Sequence, residues 1–174
     1  VTPLWIACRY DRVDTARLLI DRGADVCRAQ REGVTALFVT CRFGNLAAAT
    51  LLLNRGAEVD MADQDGETPL YVACEYGHAE SARLCLDWGA EVDRETRRWK
   101  TSLSISCEQG HNDVARLLLE RGADIKRTTA SGITPHEAAL RRGHAVMAAW
   151  LARIGAGGWV RFLSEPRYKL VVLR

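Results

Sequence analysis

The chain has 174 residues, 48% of them hydrophobic, and carries 24 Lys and Arg against 22 Asp and Glu for a net charge of +2. That apolar fraction supplies a substantial core, and the near-balance of charge makes no case of its own for nucleic acid. No apolar run reaches membrane-spanning length and no charged-then-apolar leader opens the chain. It starts at Val1 and ends in Leu170-Val171-Val172-Leu173-Arg174. Both ends read as cuts, and the expectation is a segment of a longer protein.

Thr2-Pro3-Leu4 opens the first predicted element. It returns as Thr35-Ala36-Leu37, Thr68-Pro69-Leu70, Thr101-Ser102-Leu103 and Thr134-Pro135-His136, each 33 residues after the last. Each Thr is followed 21 residues later by Gly-Ala, at Gly23-Ala24, Gly56-Ala57, Gly89-Ala90, Gly122-Ala123 and Gly155-Ala156. A fixed period of this size indicates stacked supersecondary units, each covering its neighbour's apolar face, rather than one globular domain. Within a unit, Thr is a good N-cap and Pro a favoured first helical residue, which predicts a helix from about Pro69 to Tyr76, stopped at Gly77. A second helix follows with an apolar stripe, such as Ala16, Leu18 and Leu19, or Val114, Leu117 and Leu118. Asp14, Glu80 and Asp113 suit the positive end of its dipole, and Gly23, Gly56, Gly89 and Gly122 stop it. Turn signals such as Asp65-Gly66 and Ser131-Gly132 predict a protruding hairpin-like loop before the next Thr.

With Thr-Pro-Leu, Gly77-His78, Leu117-Leu118-Leu119 and Gly122-Ala123-Asp124 at these spacings, the chain resembles the ankyrin-repeat family. The resemblance implies an all-α solenoid of helix-turn-helix units joined by hairpin-like loops. It spans residues 1–157, with repeats starting at Thr2, Thr35, Thr68, Thr101 and Thr134. A capping or linker segment at 158–174 follows. There Gly155-Ala156-Gly157-Gly158 replaces the acidic ending, and Ser164-Glu165-Pro166 suits a helix start while Tyr168 to Leu173 equally suits a β-like run.

The periodicity also filters residues that look like chemistry. Cys8, Cys41, Cys74 and Cys107 occupy one position in four successive repeats. Equivalent helices lie about 8–10 Å apart, too far for a disulfide or a shared zinc ion. The column is expected to be a row of small buried hydrophobes, and Cys85 likewise. Cys27, after a repeat boundary, is the better candidate for an accessible thiol. His78, His111 and His144 each follow the mid-repeat Gly, where the resemblance implies loop hydrogen bonding. His136 stands where other repeats have Leu, and beside Glu137 it suggests acid–base chemistry, although a modified last repeat is the simpler account. No phosphate-cradling loop, nucleophile elbow or zinc-protease motif occurs. The expectation is no enzyme, no cofactor and no metal.

The resemblance implies recognition through the two residues before the mid-repeat Gly, a place taken in the first repeat by Asp11, together with the loop tips. The pairs are Arg9-Tyr10, Arg42-Phe43, Glu75-Tyr76, Glu108-Gln109 and Arg141-Arg142. Tyr10, Phe43 and Tyr76 form an aromatic ladder, and Tyr and Arg dominate interface hot spots; the competing account leans the rings on neighbouring helices. Charge along the line changes sign, which suits a protein segment better than a phosphate backbone. One loop tip is anomalous: where repeats two, three and five have Gly33, Gly66 and Gly132, repeat four has Trp99 within Arg97-Arg98-Trp99-Lys100. Loss of Gly predicts a changed turn, with Trp99 either anchoring a partner or folding back beneath arginines. In the column after Thr-Pro-Leu, Trp5, Phe38 and Tyr71 are expected to pack between repeats, followed there by Ser104 and Glu137.

The function expected is therefore a monomeric protein- or peptide-binding scaffold in a reducing, intracellular compartment. The alternative is a regulatory segment of a larger enzyme, channel or ubiquitin-ligase adaptor. Binding of nucleic acid or anionic lipid through Arg97, Arg98, Arg141 and Arg142 is the weaker reading.

Overall fold

Residues 1–155 are described in the computed structural model, and over them the chain forms ten α-helices in five pairs. The pairs are α1 (Pro3–Arg9) with α2 (Val13–Asp21), α3 (Ala36–Phe43) with α4 (Leu46–Asn54), and α5 (Pro69–Glu75) with α6 (Ala79–Asp87). Then come α7 (Ser102–Gln109) with α8 (Asn112–Glu120), and α9 (Pro135–Arg141) with α10 (Ala145–Arg153). The expected tail structure at 158–174 lies outside the described residues.

Each odd-numbered helix begins where the sequence says it should. The side chains of Thr2, Thr35, Thr68, Thr101 and Thr134 accept the backbone N–H three residues on, at 3.1–3.3 Å. This satisfies one of the donors that every helix start leaves orphaned. Helix α5 ends at Glu75 with Tyr76 as its cap, and Gly77 then turns the chain at φ +75°.

The odd-numbered helices stack in one row, α1 on α3 through to α9, and α2, α4, α6 and α8 stack in a second. One continuous apolar cluster runs the length of the stack. Its burial comes from neighbours rather than from the single repeat. At the position four after the Thr, Val39, Val72 and Ile105 are at most 2% exposed, whereas Ile6, on the outer face of the first repeat, is 47% exposed. The cysteine column Cys8, Cys41, Cys74 and Cys107 is wholly buried with free thiols. Burial pushes the Cys8 and Cys107 thiols up to about 12, far from thiolate at neutral pH. The closest cysteine pair runs across the two rows: Cys41 Sγ lies 3.6 Å from Cys85 Sγ, in contact and unbonded. Cys27 is partly exposed, its Sγ donating to the Gly56 carbonyl oxygen at 3.7 Å.

Between pairs the chain projects as hairpins. Each is closed by a backbone bond across the turn: Gln30 N–H to Val34 O, Asp63 to Glu67, Thr96 to Lys100 and Thr129 to Ile133, at 2.9–3.0 Å. Neighbouring hairpins are then tied sideways, Gln64 N–H donating to Glu32 O at 2.7 Å and Arg97 N–H to Asp65 O at 2.8 Å. Trp99 corrects the expectation of a changed turn. It keeps the glycine conformation, φ +59° against +78° at Gly66 and +72° at Gly132. Its N–H donates to Thr96 O at 2.9 Å, the counterpart of Gly132 to Thr129.

Candidate protein-interaction surface

The paired residues at the ends of the odd-numbered helices form cross-repeat staples at the first, second and last junctions. Arg9 lies over the Trp5 and Tyr10 rings of its own repeat, each at 5.6 Å, and over Phe43 of the next at 5.2 Å. Arg42 repeats the geometry, 5.2 Å from the Tyr76 ring centroid and donating to the Tyr76 hydroxyl at 2.9 Å. At the last junction the chemistry changes and the geometry persists. Glu108 stands where Arg9 and Arg42 stand, and Arg142 takes the ring position and forms an ion pair with it. Lys100 reaches the same carboxylate from the hairpin at 2.6 Å. Desolvation works against ionising Glu108, but hydrogen bonds and charge from Lys100 and Arg142 outweigh it and hold its carboxyl below the usual range.

The rings remain accessible despite their staples: Tyr10 is 64% exposed, Phe43 46% and Tyr76 44%. The rings are thus neither buried between helices nor free of neighbours: each rests against an arginine and stays at least 44% exposed. In the neighbouring column Phe38 and Tyr71 are buried and Trp5 partly so, which is the expected packing between repeats.

The histidine column is structural. Nε2 of His78, His111 and His144 lies 3.0–3.1 Å from the carbonyl oxygens of Arg42, Glu75 and Glu108 in the preceding repeat. Asn45 does the same work in the second repeat, its Nδ2 donating to Cys8 O and Arg9 O, each at 2.8 Å. The preceding Gly is needed for clearance: a Cβ at Gly77 would meet the His111 ring at 2.6 Å. Glu137 is likewise occupied. Its carboxylate accepts from the Thr134 N–H at 2.8 Å and hydroxyl at 3.1 Å, a capping box whose backbone bond holds its carboxyl below the usual range. The His136–Glu137 pair is a helix start.

The loop cluster Arg97, Arg98, Trp99 and Lys100 meets Arg141 and Arg142 around one cavity of about 560 Å³ between the fourth and fifth repeats. The sequence signalled these cations but not the wall opposite them, made by Ile133 and Ala138. At the preceding junction the matching niche is only about 230 Å³, and Glu75, Glu67 and Asp65 line it with Arg98 and Lys100. Glu67 is unusual there: burial first, then the charges of Glu75, Asp63 and Asp65, raise its carboxyl to about 7, with Arg42 opposing.

Two rows of stacked helices, laterally bonded hairpins and a column of Gly-His contacts define a helical repeat scaffold. The chain belongs to the ankyrin-repeat family: the family model described as ankyrin repeats (3 copies) matches residues 4–96 and again 37–129. Repeats of this family are in general protein-interaction modules and typically not catalysts. Among curated proteins, none matches the chain. No helix among the described residues is long and apolar enough to cross a membrane.

Proposed function

We propose that this chain recognises a protein partner along the line Tyr10, Phe43 and Tyr76, with Arg9, Arg42 and Glu75 beside the rings and the loop Arg97–Lys100 and Arg141–Arg142 extending the surface. The observation that carries it is the exposure of three successive rings, each set against an arginine: Arg9 lies 5.6 Å from Tyr10 and 5.2 Å from Phe43, and Arg42 lies 5.2 Å from Tyr76. Rings ordered before binding lose little entropy on contact, which is where affinity is gained. The mechanism is display of a rigid surface, with no bond made or broken. Such a module serves equally as a free scaffold or as the targeting segment of a larger enzyme, channel or ubiquitin-ligase adaptor. The six free thiols support a reducing, intracellular setting. The basic cluster gives nucleic acid little support, because Lys100 and Arg142 are both turned onto Glu108.

The test compares partner recovery by the tagged chain with that by a Tyr10→Ala, Phe43→Ala, Tyr76→Ala triple variant, with circular dichroism as the control for folding. Loss of the recovered partner from a folded variant is expected. Equal recovery from both refutes the ladder.

A further inference from the structure

Equivalent positions at successive junctions explain why one niche is hollow. At the third-to-fourth junction the space is filled by Tyr71 from one repeat and Ile105 from the next, both buried. One repeat later the same two positions are Ser104 and Ala138, and Ile133 stands where Lys100 stood. The ring and the branched side chain are gone, the wall becomes apolar, and the volume rises from about 230 to about 560 Å³. That is the size range of a ligand pocket rather than of a packing defect.

The hairpins open at the same place. The two sideways bonds made earlier, Gln64 N–H to Glu32 O and Arg97 N–H to Asp65 O, have a third counterpart in Ala130 N–H and Arg98 O. Among the described residues that bond is not made, and Arg98 and Ala130 are exposed. One backbone donor and one acceptor, both on residues that line the cavity, thus lack the partner their counterparts have. Trp99, 58% exposed and held in the left-handed region, stands over it. Trp99 takes the left-handed conformation that Gly66 and Gly132 take at the equivalent turns, and so carries backbone strain they do not.

Charge identifies the occupant. Lys100 and Arg142 share the one carboxylate of Glu108, which offsets one of their two charges, while Arg97, Arg98 and Arg141 are exposed and in no ion pair among the described residues. We propose that this niche binds an extended acidic peptide segment, its backbone pairing with Arg98 O and Ala130 N–H and one aromatic or bulky apolar side chain entering beneath Trp99. The carboxylates lie against Arg97, Arg98 and Arg141. A nucleic acid fits less well, since a phosphodiester has no donor for the Arg98 carbonyl and Glu108 interrupts the basic lining. The proposal rests on the reading of the chain as a protein-recognition module and names one class of its partners.

The experiment titrates the folded chain with short fluorescein-labelled peptides: an acidic one with a central Phe, the same with Ser in its place, and a basic one with Phe. A single-stranded oligothymidine of matched charge is the fourth probe. The acidic Phe peptide is expected to bind about tenfold or more tighter than the other three. Ser104→Tyr and Ala138→Ile, which restore the side chains of neighbouring repeats, are each expected to cost about tenfold or more in its affinity, as is Trp99→Gly. Absence of binding to the acidic Phe peptide, full affinity in a folded Ser104→Tyr or Ala138→Ile chain, or equal binding of the oligothymidine overturns the niche assignment. Partner recovery that depends on the ladder while all peptides fail removes this inference alone and leaves the proposed function standing.

Discussion

Single side chains in this protein are assigned by the neighbour one repeat away. His111 sits against Gly77 and the Glu75 carbonyl, and Arg42 against Tyr76, so neither can be judged within its own 33 residues. Glu67 shows the electrostatic side of the same rule. With its carboxyl raised to about 7 by burial and by Glu75, Asp63 and Asp65, the folded state holds that proton more tightly than the unfolded chain, whose ordinary value is 4.5. Its stabilising contribution is therefore complete below pH 4.5 and is lost as pH rises through about 7. Glu108 and Glu137, with lowered values, act in the opposite direction and only as pH falls below the ordinary carboxylate range. Glu67→Gln is expected to raise the urea midpoint at pH 8.5 and leave it nearly unchanged at pH 4; an equal gain at both would deny Glu67 its raised value.

At the scale of the element, the hairpin that enters the fourth repeat separates backbone geometry from sequence preference. Its turn is the one made with Gly66 and Gly132, yet it carries Trp99 at φ +59°. A left-handed L-residue costs about 1–2 kcal/mol. Trp99→Gly relieves that cost while making the unfolded chain looser, so a net gain of roughly 0.5–1 kcal/mol is expected in chemical denaturation. A loss of more than about 1 kcal/mol would mean that the indole packs as part of the fold. Stability gained together with peptide affinity lost is the behaviour of a residue kept for binding. Among the helix pairs the same conflict recurs at Asp11, φ +51°, where the later repeats have Gly; the Thr caps, first-turn acids and terminal glycines agree with the structure formed.

For the whole molecule, stability is shared between neighbours. Ile6 and Ile105 are the same residue at the same place in the repeat, but Ile105 is 2% exposed between two units and Ile6 is 47% exposed at the end of the stack. Ile105→Ala is expected to cost about 2–4 kcal/mol and Ile6→Ala less than about 1 kcal/mol, measured as denaturant midpoints on the same chain. Equal costs would place the core inside each repeat and contradict nearest-neighbour stacking.

The fold is legible in the amino-acid sequence because period and caps are local and recur from unit to unit. Thr68-Pro69, Gly77-His78 and the cysteine column needed only their spacing to be placed. The sequence also draws attention to Trp99 and its flanking cations, since a broken period is visible on paper. The contacts between repeats are legible only in the folded molecule. The Arg9–Phe43 and Arg42–Tyr76 staples join side chains 34 residues apart. The hollow beside Ser104 and Ala138 exists because two small residues from different repeats face the same space. Whether a side chain is absorbed or left open depends on the volume opposite it, and that volume is set by stacking rather than by any single repeat.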